Sequence, residues 1–422
     1  MLVSDILRLR THAIANLCCL RRASVIGAFG NGLTGVVLTL AIAESLGAIP
    51  MSAALTALSL GMLFSFAAGG IYADHSRRVT TLVFSDSARG VANLAVVGGI
   101  VFGGHFGVVL VVSGCAINGL SVGYFRPAIN SLWAEFVPAE SLKNTLATNA
   151  LYSRVYLALG GAVGGILVAC NAALLGLAID AVSFFLTAFL VARIDEPEKA
   201  RRGRRSSSAS ISAQVSAVVA LLNIVGQWVQ LVRIAHQSRW LPTWVITRIL
   251  ASLTGGVVSV CLPLVLIENY TPVLIGLFQS IGVWALVCGA VCAKIRLPKK
   301  CPGVLQSLGA TLGSLAGVSV AMAWPAQLAI GLQFCAYFST AYTEPSFTHF
   351  VAQQFCQEER GRVYALQTGV SSVLAPVGMC AAGILLQCVS AQLLLIISGS
   401  IGCVLFLIPL VFVEAWSMKV RR

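Results

Sequence analysis

Seven ionisable residues stand in or beside stretches of this chain that otherwise avoid charge: Asp86, Arg89, Arg126, Arg154, Asp180, Arg248 and Glu344. A charge near the middle of a membrane-spanning helix costs about 2.5–3.5 kcal/mol on insertion scales, so each needs a partner, water or a route to the interface. Asp86 and Arg89 are three residues apart, which puts them on one face of a helix. Arg126 and Glu344 stand with opposite charge in similar words, Tyr-Phe-Arg-Pro (124–127) and Tyr-Thr-Glu-Pro (342–345). The chemistry open to such groups is ion pairing, proton binding and contact with a charged solute. His12, His75, His105, His236 and His349 make no metal-ligand spacing, and no glycine-rich phosphate loop carries an adjacent lysine. Catalytic residues, a metal site and cofactors are therefore not expected.

The elements that hold these residues follow from composition. The 422 residues are 58% hydrophobic and 10% charged, with mean hydropathy +0.89. A soluble domain carries roughly 25% charged residues, so this chain has too little polar surface for a water-facing globule. Its apolar runs approach the ~20 residues that cross a bilayer as a helix, and the short alternating segments of a β-barrel are missing. The predicted class is an all-α polytopic membrane protein with twelve spans. In the first half they fall near 24–45, 51–73, 80–102, 106–131, 146–169 and 173–193; in the second, near 241–265, 271–292, 303–321, 324–348, 363–387 and 390–413. No cleavable signal is expected, because Arg8, Arg10, Arg21 and Arg22 precede the first span without a cleavage site after a short apolar core. The 13 cysteines are scattered and form no C-x-x-C, which suits reduced thiols packed among helices.

Setting aside Arg89, Arg126, Arg154 and Arg248, the other 24 of the 28 Lys and Arg residues (28 − 4) lie at the termini or in and beside alternate loops. Those loops are 74–79, 132–145, 194–240, 293–302 and 349–362; the opposite loops hold only Glu44, His105 and Glu268 as ionisable residues. Positive charge stays on the cytoplasmic side, so both termini are expected there, in a cytoplasmic membrane. The net charge of +13 is then a matter of topology and needs no nucleic acid.

An internal repeat supports the count. At an offset of 218 (342 − 124), residues 124–167 match their counterparts at 11 of 44 positions, against roughly four by chance at this composition. The repeat makes 1–194 and 241–422 two parallel six-helix bundles. Between them lies a linker, 195–240, opening with the charged and Ser-rich DEPEKARRGRRSSSAS. Its apolar part, 211–232, is expected to lie as an amphipathic helix on the membrane surface. Two parallel six-span repeats suit bundles that rock around a central site.

Five segments carry a family resemblance: GGIYADHSRR with SDSARG, the stretch YFRPAINSLWAEFVPAESLKNTLATNALYSR, LGGAVGG and AIDAVSFFLTA. They are similar to the major facilitator superfamily and, more narrowly, to its enterobactin-exporter and macrolide-efflux branch. Gly70, Ala73, Asp74, Arg77 and Arg78 match the family's loop motif after span two, with His75 in place of an arginine and a spacer one residue shorter. Gly160, Gly164 and Gly165 match the span-five antiporter motif, with Gly161 in place of its proline, and small residues at this spacing let helices approach closely.

The resemblance implies roles. Asp74, Arg77 and Arg78 would join Asp86 and Arg89 in a network that latches spans two and three in the outward-open state; the alternative is a self-satisfied Asp86–Arg89 pair with Arg89 snorkelling. Spans four and ten would line the cavity, where Arg126 and Glu344 would close an inner gate across the pseudo-twofold axis, unless each faces the cytoplasmic funnel alone. Arg248, and less directly Arg154, would meet substrate or else contact headgroups and backbone. Asp180 would serve helix-helix hydrogen bonding, and Asn31 and Asn118 are polar candidates on spans one and four. Asp86 and Glu344 are the acids best placed to sense protons. The function implied is secondary transport by alternating access: a proton-coupled exporter, an antiporter, of amphipathic small molecules, working as a monomer. The alternatives are an uptake symporter for a small anionic solute and a non-transporting scaffold or sensor. If the inner gate is a direct ion pair, Arg126→Glu abolishes flux and adding Glu344→Arg restores it. A double variant as inactive as the single one, at equal expression, removes the pair.

Overall fold

A computed structural model describes residues 2–75, 77–137, 139–194, 240–296, 302–354 and 373–411. The expected linker lies outside them except for Trp240, as does the first part of span eleven. The described residues contain twelve helices and no strand. These are α1 (Leu2–Leu46), α2 (Ala48–His75), α3 (Arg78–Phe102), α4 (Gly104–Phe136), α5 (Ala139–Ala169), α6 (Ala173–Ala192), α7 (Trp240–Asn269), α8 (Pro272–Ile295), α9 (Pro302–Ala321), α10 (Ala326–Gln354), α11 (Ala375–Leu385) and α12 (Ala391–Val411).

Each described helix falls on one span expected from hydropathy, α11 on only the second part of span eleven. The ends differ where apolarity stops before helix propensity does. Helix α1 begins at Leu2, ahead of the span expected from 24, because residues 2–26 contain neither Gly nor Pro. Nine of the twelve described helices are long and apolar enough to cross a membrane. The other three are α3, α10 and the short α11. Helix α3 falls short because Thr81, Ser85, Asp86, Arg89 and Asn93 are buried along it in place of apolar residues. Polar groups at that depth are tolerated only where other helices satisfy them.

Helices α3 and α4 form a tight antiparallel pair. Gly103 separates them, and Gly103 and Gly104 adopt φ of 65° and 58°, a left-handed conformation open to glycine at little cost. The turn between α5 and α6 uses Asn171 at φ 56°, the non-glycine type that best tolerates this region.

The described chain divides into two compact units: Met1–Gly35, Ala57–Gly160 and Leu174–Asn223, and Val36–Thr56, Gly161–Ala173 and Ile224–Arg422. In the first, Leu20 of α1, Leu82 of α3, Leu132 and Trp133 of α4 and Val191 of α6 pack into one buried cluster. In the second, α7 packs on α11 and α12, α9 on α10 and α12, and α8 on α10.

The glycines of the LGGAVGG stretch sit at backbone contacts. A Cβ on Gly160 would overlap the Phe29 carbonyl oxygen of α1, and one on Gly165 would overlap the backbone of Gly276 on α8. Gly164 is buried between them. A carbonyl of a packed helix cannot rotate away as a side-chain end can, so α5 and α1 would have to part. Gly160→Val is expected to destabilise the protein by about 1–3 kcal/mol, as overpacked cores do. Gly35→Ala on α1, whose Cβ meets nothing within 4 Å, is expected to stay within about 0.5 kcal/mol. Unfolding midpoints in detergent compare the two, and equal midpoints would remove the contact as a constraint.

Candidate functional site: a buried polar ring in the first unit

The polar residues of α3 meet partners on three other helices. Asp180 of α6 is 0% exposed. Its Oδ2 accepts hydrogen bonds from the Thr34 hydroxyl of α1 at 2.5 Å and from Asn93 Nδ2 of α3 at 2.7 Å. Its Oδ1 accepts a third from the Ser183 hydroxyl at 3.0 Å. Asn93 Oδ1 then accepts from Asn118 Nδ2 of α4 at 3.1 Å, and Asn118 Oδ1 accepts from Arg89 Nε at 3.3 Å. Arg89 Nη2 donates to Asn31 Oδ1 at 2.5 Å. Asn31 and Thr34 are one turn apart on α1, so the bonds form a closed circuit through α1, α6, α3, α4, α3 and back to α1.

The polarity of each step fits the residue that makes it. A carboxylate offers only acceptors and here meets three donors, while Asn93 and Asn118 each accept on one atom and donate on the other. The Arg89 guanidinium lies over the Phe184 ring at 4.0 Å, the face that attracts a cation. Asp86, 2% exposed, completes the charge cluster with Arg89, Thr187 and Asp180 as its electrostatic neighbours. Gly30 makes room for it all, since a Cβ there would overlap Asp180 Oδ1 and the Ser183 hydroxyl.

Of the loop arginines, Arg78 has a partner away from this ring. Arg78, at the start of α3, forms an ion pair with Glu135 near the end of α4. It lies eight residues (86 − 78) before Asp86, about 12 Å along the helix. Arg77 is exposed, and the side chain of Asp74 lies outside the described residues. Glu344 is exposed on α10, whereas the side chain of Arg126 also lies outside the described residues. Arg154 is half-buried on α5. In the second unit Arg248 of α7 lies between two rings, 5.5 Å from the Trp244 centroid and 5.4 Å from that of Phe406 on α12. Trp244 stacks in turn on Phe347 of α10 at 5.6 Å.

Sequence reasoning did not select Thr34, Asn93, Ser183, Phe184 or Glu135. For Asn93 a signal existed: it lies four residues after Arg89, on the same face of α3. Glu135 and Thr34 gave none, because their partners are remote in the chain.

Residues 23–379 match the Major Facilitator Superfamily. The chain belongs to that superfamily. None of the curated proteins matches it. Among solved structures, the nucleoside transporter NupG, as its D323A mutant, superposes with TM-score 0.69 at 12% identity, over 94% of this chain and 99% of that one. The inward-open xylose transporter XylE from E. coli gives 0.64 at 14%, over 94% and 95%. A POT family transporter in complex with a thioalcohol-conjugated peptide gives 0.68 at 11%, over 94% and 96%. Identities this low establish a shared fold and nothing finer. This major facilitator is thus an all-α, multi-pass membrane protein with the fold of secondary transporters rather than of an enzyme.

Removing the carboxylate would strand donors on α1, α3 and α6. Asp180→Leu is expected to lose roughly 3 kcal/mol or more of stability, and Asp180→Asn, which keeps one acceptor oxygen, less than half as much. Chemical denaturation in detergent checks the order, and an Asp180→Leu protein as stable as the parent would show the ring to be dispensable.

Proposed function

We propose that the chain is a proton-coupled exporter of amphipathic small molecules of drug, macrolide or siderophore type, an antiporter working by alternating access. The observation that carries this reading is the charge cluster buried inside the first unit, where the Arg89 guanidinium is the shared electrostatic neighbour of Asp86 and Asp180. Two carboxylates against one cation leave one negative charge over, and a proton balances it. Asp180 is already committed to three donors, so Asp86 is the acid that takes the proton. Export as the direction is supported by the resemblance of GGIYADHSRR and LGGAVGG to the efflux branch.

The substrate class is supported by Arg248. Its guanidinium is set between Trp244 and Phe406, and it has no ion pair among the described residues. A cation framed by aromatic rings suits an apolar molecule bearing an acidic group. In this proposal residues 1–194 and 241–422 are the two bundles, 195–240 joins them, and both termini are cytoplasmic. An uptake symporter is the competing reading, and the direction of movement separates the two.

In proteoliposomes with an acidic lumen, an antiporter accumulates substrate inside and a symporter drives it out. Catecholate siderophores, macrolides and lipophilic cations are the compounds to test, with protein-free liposomes as blanks. Accumulation that collapses with a protonophore is expected for at least one class. Asp86→Asn is expected to lose gradient-driven accumulation while keeping substrate exchange at equal pH. Absence of gradient-dependent flux in all classes would favour a non-transporting scaffold or sensor.

A further inference from the structure

The first unit holds a second polar site, separate from the ring. A cavity of about 440 Å³ lies between α1, the end of α4 and the start of α5, lined in part by Arg21, Trp133, Asn144, Thr145, Thr148 and Asn149. Small-molecule sites run from roughly 300 to 1,000 Å³, and one water occupies about 30 Å³. The space is therefore the size of a ligand.

Its chemistry is specific. Ser141, Thr145, Thr148 and Asn149 recur at the spacing of one helical face, so α5 presents hydroxyl and amide groups over successive turns. Among the described residues of the lining, Arg21 is the one charged side chain and no acid accompanies it. Its guanidinium rests over the Tyr152 ring at 4.2 Å, which positions the charge without neutralising it. Trp133 is 3% exposed, and its indole Nε1–H has no hydrogen-bond partner among the described residues. Asn149 Oδ1 is likewise buried without one. What faces the cavity is therefore a single cation and a row of hydroxyl and amide side chains.

We propose that this cavity binds a small anion bearing hydroxyl groups. Its phosphate or carboxylate lies against Arg21; its hydroxyls engage the polar face of α5. The cation excludes a cationic ligand, and the line of amides and hydroxyls disfavours a purely apolar one. The same chemistry occurs in a soluble polyol phosphate and in the headgroup of an anionic glycerophospholipid. The inference stands apart from the exporter reading, because binding needs no gradient and survives if no flux is found.

The test uses the full chain in nanodiscs and reads tryptophan emission and the thermal unfolding midpoint. One arm titrates glycerol 3-phosphate onto protein in phosphatidylcholine discs. The other compares phosphatidylcholine discs with discs containing phosphatidylglycerol. Saturable stabilisation in the first arm identifies a soluble ligand; stabilisation confined to phosphatidylglycerol discs identifies a headgroup. Arg21→Gln is expected to weaken either response about tenfold or more, with Arg21→Lys recovering part of it. Thr148→Val, at an exposed position, is expected to weaken it about threefold. No response in either arm, or responses unchanged in both Arg21→Gln and Thr148→Val, would overturn the proposal and leave a water-filled cavity.

Discussion

A carboxylate removed from water must find its donors in the protein, and Asp180 finds three. That requirement organises the first unit. The donors come from α1, α3 and Asp180's own helix, and the asparagines that relay the pattern bring in α4. Hydrophobic packing alone holds helices together without fixing their rotation, since one apolar face is much like another within a bilayer. A circuit of directional bonds does fix it. Turning α3 by one residue would withdraw Asn93 from Asp180 and Arg89 from Asn118 together.

The rest of the unit reads as accommodation to that circuit. Gly30 leaves the room that Asp180 and Ser183 fill, and Phe184 gives the buried Arg89 cation a π face. The Arg78–Glu135 pair joins the start of α3 to the end of α4, at the opposite end of that pair from the Gly103 turn. Buried polar circuits are costly when half satisfied and specific when complete. This one therefore favours a unit that holds together as a body. Within the same body Asp180 is held by three donors from α1, α3 and its own helix.

Much of the fold is legible in the order of the residues, and for identifiable reasons. The run from Ala173 to Ala192 is apolar enough to be a span whatever surrounds it. Helix α3 is legible through its neighbours and length even though it falls outside the apolar nine. Within the site, Asp86 and Arg89 stand out because charge is rare in this chain. Asn93, a neutral amide, does not stand out, although it carries as many of the circuit's bonds as Arg89 does. Thr34 is invisible because a threonine in an apolar helix usually bonds its own backbone.

Composition, hydropathy and the placement of positive charge by themselves determined a polytopic helical membrane protein of two related halves. Those properties are summed along the chain and need no knowledge of what touches what. Tertiary structure decided the partners: Thr34 with Asp180 across 146 residues, Arg78 with Glu135 across 57, and Arg21 beside Trp133 on the wall of one cavity. A hydrogen bond depends on position and angle to within tenths of an ångström. Spacing along the sequence specifies such geometry only within a helix, so contacts between helices are settled by the fold.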